Sequence, residues 1–135
     1  MAEIKVPAEV ERLEQVVDFL NEQMDAAGCP KAMRDRVQVA AEEIFVNIAS
    51  YAYGPEGGQT AVRCRAEGAP PRVTVEFTDW GRPYNPLERP DPDVTLSAGE
   101  RPMGGLGVFL TKRLMDEVYY QFRDGKNILT LKKRG

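Results

Sequence analysis

Residues 54–58, Gly-Pro-Glu-Gly-Gly, divide the chain by the period of its apolar residues, and that division limits the folds open to it. Before the break the period is helical. Val10, Leu13, Val17, Leu20 and Met24 recur at three- and four-residue steps among Glu, Gln and Asp, and Gly28 stops the run, which predicts an amphipathic helix over residues 8–27. Pro30 opens a second helix in its first turn, with Met33, Val37, Ala40, Ile44 and Ile48 as its apolar stripe. After the break the period is two. Val62, Cys64 and Ala66 alternate with Arg63 and Arg65, and Val73, Val75 and Phe77 follow the turn at residues 68–71. A short strand at residues 3–6, a helix from Val108 to Met115 and two closing strands, about 117–123 and 126–132 around Asp124-Gly125, complete the order. This predicts one α+β domain over residues 1–135, a two-layer sandwich with helices on one face of a mostly antiparallel mixed sheet and the other face open to partners.

Within that frame three stretches carry chemistry. Glu43 and Asn47, four apart on the second helix, lie at the edge of its apolar stripe, where a side chain looks into the cleft between layers. An amide oxygen there can hold a hard cation and a carboxylate can take a proton; the same pair also fits the ordinary boundary of a surface helix. Asp79 continues the row of Val73, Val75 and Phe77 by one step, so a carboxylate ends an apolar strand face and needs a partner. Residues 80–103 hold five prolines and little periodicity, and a loop of that length reads as a lid or binding loop. It leads into Gly104-Gly105-Leu106-Gly107 ahead of a helix, backbone that suits a polyphosphate and equally a plain tight loop.

Composition removes several alternatives. With no histidine in the chain, histidine triads, histidine bases and most zinc sites are excluded. A net charge of −3, with its one basic cluster at Lys132-Lys133-Arg134, offers no nucleic-acid footprint. Cys29 and Cys64 have neither metal nor redox spacing and are expected as free thiols. No apolar run reaches signal-peptide or membrane-span length, so a cytoplasmic protein without membrane contact is expected.

Taken in order, an acidic-plus-Asn helix, a strand ending in Asp-x-Gly, a long loop and a glycine-rich helix entry resemble the ATP-binding domain shared by gyrase, MutL and sensor histidine kinases. Within that superfamily the chain looks most like the small bacterial anti-sigma-factor serine/threonine kinases. The Glu-x-x-x-Asn motif is matched by Glu43 and Asn47. Asp-x-Gly-x-Pro-Phe is matched by Asp79, Gly81 and Pro83, with Tyr84 in the last place. Gly-Gly-x-Gly is matched by Gly104, Gly105 and Gly107, ahead of Leu114 to Val118. The resemblance implies a histidine-kinase-like ATPase fold with ATP and Mg²⁺ as cofactors. It implies that Glu43 is the catalytic base, that Asn47 is the metal ligand, and that Asp79 accepts from the adenine amino group. Gly81 would let the backbone approach the base, and Gly104, Gly105 and Gly107 would close over the phosphates. Two departures stand out: Asn127 occupies the nucleotide-binding position where relatives usually carry threonine, and Glu42 beside Glu43 leaves a register ambiguity.

Two functions follow from the resemblance. One is a protein serine/threonine kinase that phosphorylates a small STAS-type antagonist of an anti-sigma factor, binds a sigma factor or other regulator, and acts as a homodimer. The other is a module whose affinity for a partner depends on ATP without phosphotransfer, since a site that holds nucleotide and metal is necessary for transfer and not sufficient.

Overall fold

A computed structural model describes residues 1–88 and 106–135 of the chain. Strand β1 (Ala2–Pro7) leads through a 3₁₀ turn at Val10–Arg12 into helix α1 (Leu13–Ala26), and α2 (Lys31–Tyr51) follows. Strands β2 (Gln59–Glu67) and β3 (Arg72–Asp79) come next, and helix α3 (Leu106–Leu114) precedes strands β4 (Glu117–Arg123) and β5 (Lys126–Arg134). The sheet order is β1-β2-β3-β5-β4, and every pairing is antiparallel.

Local chemistry sets the element ends. After α1, Gly28 takes φ +74°, its N–H reaches Asp25 O at 3.0 Å, and the Cys29 N–H reaches Met24 O at 3.0 Å. Those two bonds form the glycine-capped Schellman arrangement, which satisfies carbonyls that the helix end leaves open. Between β4 and β5, Asp124 and Gly125 both adopt positive φ, 55° and 76°, as a two-residue hairpin turn of matching twist demands.

One face of the sheet is the core. Val62, Cys64, Val73, Val75, Phe77, Leu129 and Leu131 meet Val16, Leu20 and Met24 of α1 and Met33, Val37, Ala40, Ile44, Phe45 and Ile48 of α2. The expected α2 stripe is buried throughout. The α1 stripe is shifted: Val10 is 50% exposed, and Val16, with no exposure, replaces Val17 in the deepest row. The 3₁₀ turn at residues 10–12 explains this, because three residues per turn instead of 3.6 change the angular phase at which α1 proper begins. Cys29 and Cys64 are free and buried, and burial pushes the Cys64 thiol up to about 12. No described helix is long and apolar enough to cross a membrane.

Candidate functional site

Alternation along β3 puts Asp79 on the face that α2 covers, and the residue is 6% exposed. A carboxylate so placed must be hydrogen-bonded or give up its charge. Its Oδ1 accepts the Gly81 N–H at 3.0 Å and the Asn127 amide at 2.9 Å, and among the described residues both bonds fall on that one oxygen. The β3–β5 register makes the second bond possible, since Asp79 and Asn127 are direct cross-strand partners. Burial raises the Asp79 pKa above its ordinary value, while the hydrogen bonds from Asn127 and Gly81 pull it back.

Asp79 lines a pocket between α2 and the sheet. Ile44, Asn47, Ile48 and Tyr51 of α2 form one wall, Phe77 and Leu129 come from the sheet, and Tyr84, Tyr120 and Asn127 also line it. Asn47 is half-buried, and its amide makes no hydrogen bond among the described residues. The pocket is therefore largely apolar, with the Asn47 and Asn127 amides, the Asp79 carboxylate and Arg82 as its amide and charged lining groups.

Glu43 lies one turn before Asn47, outside the pocket lining, and faces α3. A methyl group on Gly107 would sit 2.4 Å from Glu43 Oε2, so glycine in the first turn of α3 makes room for that carboxylate. The buried Thr111 fixes this contact: its hydroxyl donates to Gly107 O at 2.9 Å and lies 3.5 Å from Ala40 O of α2. Glu42 and Glu43 meet different neighbours. Glu42 accepts from Gln38 Nε2 at 3.0 Å, and Gln38 accepts from Asn21 of α1 at 3.1 Å, so Glu42 belongs to the α1–α2 seam.

Gly81 is required by protein backbone. A methyl group there would lie 2.1 Å from Ala52 O, where the end of α2 crosses the chain leaving β3. Tyr53 braces the same corner: its hydroxyl donates to Gln59 O at 2.5 Å and accepts the Trp80 N–H at 2.8 Å. Gly104 and Gly105 lie outside the described residues. The structure thus gathers Asn47, Asp79 and Asn127 around one pocket, with Glu43 and Gly107 in contact beside it. Tyr120, which lines the pocket, and Tyr53, which braces the corner beside it, escape a sequence reading. The inward alternation of Val118 and Tyr120 marks Tyr120 as facing the helices, but its approach to Asn127 requires the strand order.

Comparison with known proteins bears on the family and the fold. The model for the histidine kinase-like ATPase domain family matches residues 6–133. A protein named serine/threonine-protein kinase BtrW, from Bordetella bronchiseptica, is 32% identical over 108 residues, covering 74% of this chain and 75% of that protein. The RsbU and RsbW domains of a Mycobacterium tuberculosis protein superpose with a TM-score of 0.63 at 15% identity, over 99% of this chain and 32% of that one. The histidine kinase domain of a blue-light activated kinase from Erythrobacter litoralis gives 0.53 at 15% identity, over 95% of this chain and 61% of the other. At 15% identity these two likenesses are of fold, and the chain spans about a third of the first structure.

Asp79→Asn tests the buried carboxylate. The amide oxygen of Asn can accept both existing bonds while the charge disappears. Because the folded-state pKa is raised, the native protein holds the Asp79 proton to higher pH than the unfolded chain does. The stability gained from that proton is present in acid and lost as pH rises through the folded-state pKa. In thermal melts without nucleotide, Asp79→Asn is expected to melt at or above the wild type at neutral pH, with the gap closing toward acid. A variant less stable than wild type at every pH would contradict this.

Proposed function

Because this chain belongs to the histidine kinase-like ATPase domain family, which matches residues 6–133, we propose that it is an ATP-dependent protein serine/threonine kinase. Its phosphoacceptor in this proposal is a small STAS-type antagonist, and the chain acts as a partner-switching regulator that also binds a sigma factor or another regulator. The observation that carries the reading is the apolar pocket with the buried Asp79 acceptor at one end and Asn47 on its wall.

The residues present fit such a ligand. Asp79 Oδ2 is the oxygen left to accept the exocyclic amino group of adenine, and the apolar walls suit the faces of a base. Among the described residues no three His, Cys, Asp or Glu side chains gather into a metal cage. A magnesium ion would therefore rest on Asn47 and on oxygens brought by the nucleotide and water, the usual habit of that ion. When bound, MgATP supplies the transferable phosphoryl group. Glu43 takes the proton that the acceptor hydroxyl loses, from a place beside Gly107 in the first turn of α3. Gly107 makes that place available.

Glu43→Gln is expected to leave ATP affinity near normal and slow phosphotransfer to the antagonist by roughly 10²–10⁴-fold, the range for a positioned base. Asn47→Ala should weaken both binding and transfer, because it removes the proposed metal ligand. Gly107→Ala should slow transfer with little change in melting temperature, since the added methyl displaces the Glu43 carboxylate, a movable group, and no backbone. Calorimetry and transfer of labelled phosphate measure these quantities. Equal activity of wild type and Glu43→Gln would remove Glu43 as base. Partner binding that responds to nucleotide with no transfer by wild type would establish the binding-module alternative.

The proposal also includes a homodimer. Its support is the edge strand β1, which pairs only with β2 among the described strands and leaves its other side open for strand addition. Light scattering should report twice the chain mass; a monomer at every concentration would eliminate this part.

A further inference from the structure

Asn127 is 6% exposed and sits at the centre of the site, yet its amide is fully occupied by the protein. A primary amide has two N–H donors and two acceptor lone pairs. Asn127 Nδ2 lies 2.9 Å from Asp79 Oδ1, 2.9 Å from Arg82 O and 3.3 Å from Gly81 O, so three acceptors share its two hydrogens. Oδ1 accepts the Tyr84 N–H at 3.1 Å and the Tyr120 hydroxyl, which uses both lone pairs. Burial raises the Tyr120 pKa, so the phenol keeps the proton it donates. These partners also decide the orientation of the amide. Exchanging its O and N would turn the oxygen toward a carboxylate and two carbonyls, and the N–H groups toward a backbone N–H.

We infer that Asn127 makes no contact with nucleotide and is instead a positioning residue: it locks Asp79 Oδ1 and the backbone of residues 81–84, leaving Asp79 Oδ2, among the described residues, as the sheet-side acceptor for a base bearing an exocyclic amino group. This rests on the nucleotide reading above and deepens it, replacing the nucleotide-binding role that the resemblance assigns to Asn127. The threonine expected at this position could not do the same work. Its single O–H cannot serve Asp79 and the carbonyls of residues 81 and 82 together, and its shorter side chain would leave room for a water that Asn127 displaces. In this chain the acceptor geometry is built into the protein before any ligand arrives.

Two measurements test the inference. In the nucleotide-free wild type, the Asn127 Nδ2 protons should be resolved by NMR and exchange slowly with solvent, because they are buried and bonded, and saturating MgATP should barely move their shifts. Rapid exchange, or a large shift on adding MgATP, would overturn the inference. The second is a double-mutant cycle read by calorimetry. Asn127→Ala should weaken ATP binding roughly 10-fold where Asp79 is present, about the worth of one hydrogen bond to a charged group. In the Asp79→Asn background the same change should weaken it less than about 3-fold, because the group it positions no longer meets the amino group. Equal losses in both backgrounds would mean that Asn127 touches the base directly. Should Asn127→Ala fail to fold, Asn127→Thr takes its place in the cycle. A wild type that binds no ATP would sink the nucleotide reading and this inference with it, whereas an exposed, fast-exchanging amide in an ATP-binding protein would sink the inference alone.

Discussion

A buried carboxylate needs partners, and the way Asp79 obtains them organises this end of the molecule. Alternation on β3 drives its side chain toward the helices, and the antiparallel register sets Asn127 directly across on β5. The amide then does more than satisfy one oxygen, since it also holds the carbonyls of residues 81 and 82 and the N–H of Tyr84. A slip of one residue between β3 and β5 would turn Asn127 to the other face and leave the carboxylate without its amide partner. Ordinary strand pairing and a polar cluster thus depend on each other. Removing either member of the pair leaves the other a buried polar group with an unmet hydrogen bond, worth about 1–3 kcal/mol.

The second organising element is α2. Its apolar stripe seals the core, and the edge of that stripe delivers two polar side chains to different places: Asn47 to the pocket wall and Glu43 to the first turn of α3. This separation has chemical use. The group proposed to hold a cation and the group proposed to take a proton sit one helical turn apart on a rigid element, so the helix itself sets their spacing. Two glycines complete the arrangement by what they exclude. Gly81 lets the chain leaving β3 pass under the Ala52 carbonyl, and Gly107 leaves room for the Glu43 carboxylate.

Much of this was legible in the residue pattern. The change of period at residues 54–58, the stripe from Met33 to Ile48 and the Asp124-Gly125 turn each state a local preference that tertiary structure obeys. Asp79 was legible as a carboxylate ending an apolar row. Other features were not, because they depend on geometry between distant elements. The phase of α1 turned on a 3₁₀ entry that periodicity does not reveal. The choice between Glu42 and Glu43 depends on which neighbour each meets, Gln38 on one side and Gly107 on the other. Tyr120 and Tyr53 look like ordinary aromatics until the strand order brings one to Asn127 and the helix end brings the other to Trp80. The full occupation of Asn127 emerges only when partners from residues 79 to 84 and 120 are counted together.

The role proposed for Asp79 is to recognise an exocyclic amino group on a purine. The most direct measurement is titration calorimetry of the wild-type protein with MgATP and with magnesium inosine triphosphate, in which a carbonyl oxygen replaces the amino group at position 6 and N1 gains a hydrogen. The account predicts that the inosine nucleotide binds roughly 10–100-fold more weakly, from loss of one charge-assisted hydrogen bond and the meeting of two acceptors. Equal affinity for the two would contradict it.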